Sequence, residues 1–282
     1  MTDEICINCG AAMEPLNPWH SVCARCNLFA STLSAGAGTG VDGLEDLRTA
    51  NFETILGRIH NHRKLQVQKW LEVGCSQGLF LEAAAARGIE VVGIEPERAM
   101  ADKARRKGHS VLDGFFPEAL PTDEVYDLII FNDVFEHLPD PRSALIACEE
   151  RLTWNGVLII NLPSSNGALF RISRLLWRLG WSGPYERLWQ KDFPSPHTFY
   201  FNEANLQRLV ERTTRLRMVD SHRLKSLHRK GLRARVRATY PGLAGEFITF
   251  GVWCVSHILP ALPADICVLH FQNNARDSRG LD

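Results

Sequence analysis

Four cysteines near the N terminus have the spacing of a metal site. Cys6 and Cys9 are separated by two residues, thirteen residues follow, and Cys23 and Cys26 repeat the first spacing. Two such thiol pairs supply four soft ligands in tetrahedral geometry, the arrangement of a structural zinc site without an open position. The spacing predicts a zinc ribbon over residues 1–30, a scaffold or docking module that the metal stabilises because the segment is too small for its own core.

A second group of residues could bind a nucleoside. Residues 71–80 read LEVGCSQGLF, with Gly74 and Gly78 around a turn of small residues. Glycines let the backbone pass close to a ligand, and the helix that follows offers unpaired N–H groups to an anion. Glu95 comes twenty-three residues after Glu72, at the predicted end of the next strand, where a carboxylate can accept both hydroxyls of a ribose.

The same turn lacks the fingerprint of a dinucleotide-binding site. That fingerprint is Gly-x-Gly-x-x-Gly, but Ser76 takes the place of the second glycine and Leu79 that of the third. The sequence therefore favours a nucleoside ligand without a pyrophosphate.

The elements that must position these residues alternate along the chain. Short apolar runs alternate with helical segments, which predicts an α/β fold with a doubly wound, mostly parallel sheet. Because ligands of such sheets bind outside the carboxyl ends of the strands, we expect Glu72 and Glu95 at one site. Residues 31–42 are rich in glycine, serine and alanine and are predicted to be a linker. The predicted strands cover 68–73, 90–94, 109–112, 125–131, 156–161 and 266–271, and the predicted helices cover 43–66, 78–87, 97–107 and 141–153.

Charge is unevenly distributed, although the formal net charge is zero. Residues 171–237 contain sixteen lysines and arginines and five acidic residues. This asymmetry indicates an anionic substrate, nucleic acid or a membrane surface, unless the arginines merely form a solvated surface. The uncharged segment 247–262 is short for a transmembrane helix, so we expect either a buried helix or contact with an anionic membrane surface.

Aromatic residues and arginines alternate in residues 170–191. Trp177, Trp181, Tyr185 and Trp189 have helical spacing, which favours packing in the core. The functional interpretation is a lid over the substrate, whose aromatic and cationic groups hold a planar or phosphorylated acceptor.

These motifs together resemble class I S-adenosylmethionine-dependent methyltransferases. Within that class, the residues NDVFEHL are similar to ubiquinone-type O-methyltransferases and related small-molecule enzymes. The resemblance implies a Rossmann-like sheet of seven strands and S-adenosylmethionine as the cofactor. It covers roughly residues 65–165 and rests on LEVGCSQG (71–78), VVGIEP (91–96), LDGFFPEALP (112–121), YDLIIFNDVFEHLPDP (126–141) and NGVLIINLP (155–163).

The resemblance also implies which residues bind the cofactor. Residues of the turn at 72–78 would line its methionine part, Glu95 would bind its ribose, and Asp113 would lie near the adenine edge. Asn132 would lie between cofactor and substrate. Ser76 departs from the glycine that is commoner at its position but is small enough for the turn. The complete set is Glu72, Gly74, Cys75, Ser76, Gly78, Glu95, Pro96, Asp113, Gly114, Phe115, Asn132 and Asp133.

Two histidines are candidates for the catalytic base. If the acceptor is a hydroxyl, a side chain must take its proton, and a neutral imidazole suits that role near pH 7. His137 lies in FEHL, where it could instead make a structural hydrogen bond. His197 lies in SPHTFYF and resembles a histidine that faces the substrate side in this branch of the class.

The predicted enzyme methylates a small-molecule, glycan-linked or lipid-linked acceptor, with oxygen as the favoured atom. The zinc ribbon is also similar to a region of sugar C-methyltransferases, but the long C-terminal domain expected there does not follow in this sequence. A zinc-ribbon RNA methyltransferase is disfavoured because Arg25 is the one cation of the ribbon. A non-catalytic binding protein of the same fold is disfavoured by the retained Glu72, Gly74, Gly78 and Glu95.

The predicted organisation follows from these assignments. Residues 43–282 form the methyltransferase domain, with a cofactor half at about 65–165, a substrate lid or insertion at about 166–200 and a basic and apolar part at 201–282. The start, MTDEICINCG, has no signal-peptide pattern. We therefore expect a cytoplasmic protein, with possible peripheral membrane contact, whose cysteines are metal ligands or buried thiols.

Overall fold

The computed structural model describes residues 5–37, 45–62, 69–224 and 226, short runs between 242 and 253, and residues 261–273. Its strands are β1 (Met13–Asn17), β2 (His20–Cys23), β3 (Phe29–Ser31), β4 (Trp70–Val73), β5 (Val91–Glu95), β6 (Val111–Asp113), β7 (Tyr126–Asn132), β8 (Leu152–Pro163), β9 (Phe199–Tyr200), β10 (Leu216–Leu224) and β11 (Ile266–Asn273). Its α-helices are α1 (Glu45–His62), α2 (Leu79–Ala85), α3 (Arg98–Arg106), α4 (Pro141–Arg151), α5 (Ala168–Arg178), α6 (Gly183–Leu188) and α7 (Glu203–Thr213), and a short 3-10 helix covers Phe135–His137.

The large sheet has seven strands in the order β10-β11-β8-β7-β4-β5-β6. The five strands β8, β7, β4, β5 and β6, which are neighbours in that order, pair in parallel. In contrast, β11 is antiparallel to both of its neighbours, β10 and β8. The predicted doubly wound, mostly parallel sheet is therefore confirmed. In this order β4 lies between β5 and β7, so the strand order reverses at β4. Ligands of such sheets bind at the reversal point, between the carboxyl ends of β4 and β7.

The central strands are apolar on both faces because helices cover both sides of the sheet. Ile129 and Phe131 of β7 face a core layer shared with α4 and α7, while Leu128 and Ile130 face a layer shared with α1, α2 and α3. Successive side chains of a strand point to opposite faces, so one continuous apolar run fills both layers. All four side chains are buried.

A small antiparallel sheet in the order β1-β2-β3-β9 carries the four cysteines near its turns. Its last strand comes from a distant part of the chain. Ser31, at the start of the predicted linker, belongs to β3, and the backbone N–H of Gly36 donates to the carbonyl of Phe193 at 2.8 Å. The described part of the predicted linker, residues 31–37, therefore lies against the segment that precedes β9, and residues 38–42 lie outside the described part of the chain.

The aromatic residues of the predicted lid divide into two groups. Tyr185 and Trp189 are fully buried and pack with Val22 and Phe29 of the small sheet, whereas Trp181 is exposed. Core packing therefore accounts for the two buried rings. Trp177 is partly buried against the same cluster.

The C-terminal prediction is tested only in part. The strand expected at 266–271 is β11, but most of segment 247–262 lies outside the described residues. Among the helices that the structure describes, none is long and apolar enough to cross a membrane.

Candidate active site

The turn after β4 is built from residues with left-handed backbone conformation. Gly74 has φ of 74°, Ser76 of 48° and Gly78 of 82°. A Cβ on Gly74 would lie 2.5 Å from a methyl group of Val134, so this position requires glycine for space as well as for conformation. Ser76 adopts the conformation that the commoner glycine would have, and its N–H donates to Glu95 Oε2 at 2.8 Å.

Glu95 lies at the carboxyl end of β5 and is nearly buried. Its second oxygen, Oε1, accepts the backbone N–H of Glu97 at 2.8 Å. Burial raises the pKa of this carboxyl, and the two N–H groups oppose that rise. Because a carboxylate oxygen can accept more than one hydrogen bond, Glu95 is oriented by the backbone and can still accept ligand hydroxyls.

Glu72 is the most buried acid on the cofactor side of the site. Its Oε1 accepts the Asn132 side-chain N–H at 2.9 Å, and Oε2 has no hydrogen-bond partner among the described residues. Burial, more than the neighbouring charge of Glu95, raises the pKa of Glu72 to about 8. A buried carboxyl with one unpartnered oxygen favours a cationic ligand, since the cation would offset the cost of ionising it.

Two hydrogen-bonded amide side chains orient Glu72. Asn161 of β8 is buried, and its side-chain N–H donates to Asn132 Oδ1 at 3.3 Å. Asn161 was not among the predicted site residues. Its position two residues before the end of a buried apolar strand is the sequence signal that could have identified it, because a polar side chain there requires a partner.

The predicted adenine end lies beside Glu95, since Asp113 of β6 pairs in register with it. Asp113 Oδ1 is 2.7 Å from an Arg105 nitrogen, so an ion pair already holds that carboxylate. Gly114 has φ of 129°, and Phe115 is 72% exposed, unusually so for a phenylalanine. An exposed ring at this edge suits contact with a planar ligand.

The remaining predicted cofactor residues have different surroundings. Cys75 is buried beneath the turn, where its Sγ would lie 2.4 Å from a Cβ on Gly93, and it therefore fills space next to that glycine. Pro96 is exposed. Asp133 has φ of 54°, and its carboxylate lies 3.8 Å from Arg48 of α1, a cation that no sequence motif had indicated.

The two candidate bases come together although sixty residues separate them. The rings of His137 and His197 are 4.6 Å apart, and Glu136 Oε1 lies 3.9 Å from His197 Nε2. We call Glu136, His137 and His197 the acceptor-side cluster. Gln190, which has φ of 52°, brings its side-chain amide to 3.0 Å from His197 Nε2. Glu136 and Gln190 were not predicted, although an acid inside the apolar stretch FEHL is a signal for the first.

Burial disfavours charge on the three side chains of the acceptor-side cluster. Glu136 is 1% exposed, neither of its oxygens has a hydrogen-bond partner in the described structure, and burial together with Asp133 raises its pKa well above the usual value. Burial likewise lowers the pKa of His197 strongly, and that of His137 as well. Burial thus favours the uncharged form of the carboxyl and of both imidazoles.

His137 is held in one tautomer. Its Nδ1 lies 3.0 Å from the carbonyl oxygen of Pro196, which can only accept, so Nδ1 carries the proton. That leaves Nε2 as the proton-accepting nitrogen. His137 is also less buried than His197, which is 5% exposed.

Two groups have the ligand types of a metal site. The Sγ atoms of Cys6, Cys9, Cys23 and Cys26 lie within 4.8 Å of one another, with pairs at 3.5 and 3.4 Å, and these thiols are not joined as disulfides. Burial raises the pKa of the Cys6 and Cys26 thiols, whereas at Cys23 hydrogen bonds, chiefly from the Cys26 backbone, outweigh burial and lower the pKa to about 7. Four unbridged thiols at these distances are the donor set of a closed tetrahedral zinc site. The ligand atoms of the acceptor-side cluster also lie within 4.8 Å of one another.

Comparison with known proteins identifies the class. A family model described as a methyltransferase domain matches residues 23–213, more than half of the chain, so the chain belongs to this family. It is 34% identical over 106 residues to a ubiquinone biosynthesis O-methyltransferase of Nitrosospira multiformis, a match that covers 34% of this chain and 43% of that protein. The chain thus spans less than half the length of that relative.

Solved structures share the fold at low identity. A cyclopropane synthase of Mycobacterium tuberculosis has a TM-score of 0.56 and 17% identity, over 86% of this chain and 90% of that one. The magnesium protoporphyrin IX methyltransferase of Synechocystis, solved with S-adenosylhomocysteine, has a TM-score of 0.54 and 12% identity, over 85% and 90% of the two chains. The prediction of a class I S-adenosylmethionine-dependent methyltransferase is therefore confirmed.

The residues fit the cofactor of this class. The unpartnered oxygen of Glu72 suits the positive charge of the methionine part, and the Glu95 carboxylate, at the carboxyl end of β5, retains lone pairs that can accept hydroxyls. The exposed ring of Phe115 suits the adenine.

Proposed function

We propose that this chain transfers the methyl group of S-adenosylmethionine to an oxygen atom of a small-molecule acceptor, either free or carried on a glycan or lipid. The observation that carries the proposal is the neutral histidine pair beside the carboxyl end of β7. A hydroxyl acceptor needs a group that takes its proton, and a neutral imidazole does this near pH 7. The name of the relative from Nitrosospira multiformis, an O-methyltransferase, also supports oxygen as the atom that is methylated.

In this proposal the cofactor half of the domain would bind and orient S-adenosylmethionine. When bound, S-adenosylmethionine supplies a methyl group already activated by a sulfonium. Glu72 would face the cationic part, Glu95 would accept the ribose hydroxyls, and Asp113 and Phe115 would border the adenine. Alignment of the reacting groups is the main contribution of the protein to such a transfer.

We assign the proton acceptor to His137 Nε2. The hydrogen bond from Nδ1–H to the carbonyl of Pro196 fixes the ring and leaves Nε2 unprotonated. His197 packs edge-on against that ring and, with Glu136, forms its buried side. We therefore treat His197 as a residue that positions His137 rather than as the base itself.

The acceptor-side cluster could instead hold a divalent cation that activates the acceptor oxygen. We favour proton transfer because the Gln190 amide already engages His197 Nε2, one of the nitrogens that a cation would need.

The test uses radiolabelled S-adenosylmethionine, a panel of catechols, hydroxybenzoates, amines and methylene-activated compounds, and mass spectrometry of the products. We expect methylation on oxygen. The variant His137→Asn keeps a donor for Pro196 but removes Nε2, and we expect its kcat to fall at least about a hundredfold while cofactor affinity changes less than about twofold. Methylation only at nitrogen or carbon, or an unchanged kcat in His137→Asn, would contradict the proposal.

A further inference from the structure

The small sheet is joined to the acceptor-side cluster through its last strand. Ala30 of β3 pairs with Phe199 of β9, two residues beyond His197. At the end of this pairing the Ser31 N–H donates to the carbonyl of Thr198 at 2.8 Å, and the Ser31 hydroxyl donates to the carbonyl of His197 at 2.6 Å. The backbone of the histidine is therefore held from the small sheet. From here on the ribbon means residues 5–31, because β3 extends one residue beyond the predicted ribbon, to Ser31.

Thr198 passes this connection to the rest of the cluster. Its N–H donates to the carbonyl of Glu136 at 2.9 Å, and its hydroxyl donates to the carbonyl of His137 at 3.1 Å. One residue thus accepts a hydrogen bond from the ribbon and donates to two members of the cluster. A displacement of β3 would move all three members.

Both cysteine turns are also attached to the large domain. The Asn205 side-chain N–H, buried at the start of α7, donates to the carbonyl of Cys26 at 3.3 Å. Arg142 of α4 donates to the carbonyl of Ile7 at 2.8 Å. Cys23 lies within the main apolar core. Because a bound metal stabilises a short segment of this kind, we expect the geometry of the cysteine turns, and of β3 after them, to depend on the metal that the four thiols fit.

The cofactor side is held by other contacts. Glu72 and Glu95 accept hydrogen bonds from Asn132, Ser76 and Glu97, and none of these donors belongs to the ribbon. A change in the ribbon is therefore expected to reach the acceptor side without an equal effect on cofactor binding.

We propose that the ribbon is the positioning element of the acceptor-side cluster, that Ser31 is its key positioning residue, and that zinc occupancy controls the placement of His197 separately from cofactor binding. The catalytic consequence rests on the function proposed above. The structural consequence does not, because the position of His197 can be observed without turnover.

The first test compares Ser31→Ala with two matched variants. Ser31→Thr keeps the hydroxyl, and Thr32→Ala removes a neighbouring exposed hydroxyl that lies 3.4 Å from the carbonyl of Trp19. We expect Ser31→Ala to move the His197 ring signals in histidine-labelled NMR spectra and to lower kcat about fivefold, the effect of one lost hydrogen bond. Ser31→Thr should restore both, and Thr32→Ala should change neither. Zinc content and cofactor affinity by calorimetry should stay within about twofold of wild type.

The second test releases zinc from the intact protein with a thiol reagent and a chromophoric chelator. We expect the His197 signals to move as in Ser31→Ala while S-adenosylmethionine binding is retained. Unmoved His197 signals in Ser31→Ala, failure of Ser31→Thr to restore them, or loss of cofactor binding together with zinc would each overturn the proposal. If no acceptor is methylated, the proposed function fails, but the NMR measurements still decide the positioning role.

Discussion

Binding of the cationic cofactor should release a proton from Glu72. With a pKa of about 8 in the cofactor-free protein, about nine tenths of the Glu72 carboxyls are protonated at pH 7. The sulfonium and ammonium groups would favour the ionised carboxylate and return its pKa toward the ordinary value. We therefore expect about 0.9 proton to leave for each cofactor bound at pH 7.

The same linkage gives the affinity a pH dependence. The ionised fraction of Glu72 rises nearly tenfold between pH 6 and pH 7, so the apparent affinity for S-adenosylmethionine should rise by about the same factor. This window lies below the range in which the α-amino group of the cofactor titrates, at about 7.7–8.0 for an ordinary α-amino group. The change in affinity can therefore be assigned to the protein.

The variant Glu72→Gln separates this effect from others. It keeps an acceptor for Asn132 but cannot ionise, so both the proton release and the pH slope should disappear. Glu97→Gln is the control, because Glu97 is exposed and contacts Glu95 through its backbone N–H. Calorimetry in two buffers of different ionisation enthalpy measures the number of protons. Equal proton release in wild type and Glu72→Gln would refute the argument.

The raised pKa also has a cost for stability. When the pKa of an acid is higher in the folded than in the unfolded state, the acid does not lower the free energy of unfolding at a pH below the unfolded pKa. Its destabilising contribution then grows as the pH rises toward the folded pKa. For Glu72, whose pKa rises from 4.5 to about 8 on folding, the destabilisation at pH 7 is about 3 kcal/mol. Glu72→Gln should therefore stabilise the cofactor-free protein near neutral pH in denaturant titrations, even though it weakens cofactor binding.

Two further substitutions test the rest of the site. The side chain in Glu136→Gln resembles a protonated carboxyl. We therefore expect kcat at pH 7 to stay within about threefold of wild type and to be insensitive to added Mg²⁺. A loss of kcat of about fifty-fold or more, on the order of 2 kcal/mol, would instead indicate that Glu136 is an ionised ligand of a cation. Gly74→Ala should destabilise the protein by about 3 kcal/mol in urea titrations, because it combines a left-handed φ with a Cβ 2.5 Å from Val134. The matched Gly57→Ala, in α1 with open space around it, should instead stabilise by up to about 1 kcal/mol; similar effects of the two substitutions would contradict the steric argument.

The cofactor half could be predicted from the sequence because its signals are local. The strand preceding Gly74 and the strand ending at Glu95 are short apolar runs, and the rule that ligands bind at carboxyl ends brings their acids together. Even the departure at Ser76 has a local explanation, since a small residue can adopt the left-handed conformation that the turn requires.

The acceptor side could not be predicted in the same way because its contacts are long-range. His137 and His197 were both candidates, but their pairing with Glu136 depends on how residues 190–198 return to the end of β7. The pairing of β3 with β9 had no signal either, since Phe199–Tyr200 is a strand of two residues that exists only against the ribbon. The aromatic spacing of Tyr185 and Trp189 indicated packing but did not identify the small sheet as the partner.

The two halves of the site handle charge in complementary ways. In the proposed cofactor site Glu72 would be largely neutral until the cation binds, so the cofactor would replace a proton at a buried position rather than add charge to it. His137 and His197 are neutral beforehand, so the acceptor side can take up the proton that an attacking hydroxyl loses. Burial produces both effects, because it disfavours the charged form of an acid and of a base alike. The short segment from Asn132 to His137 links the amide that orients Glu72 to the ring that we propose as the proton acceptor, so the carboxyl end of β7 positions residues of both halves.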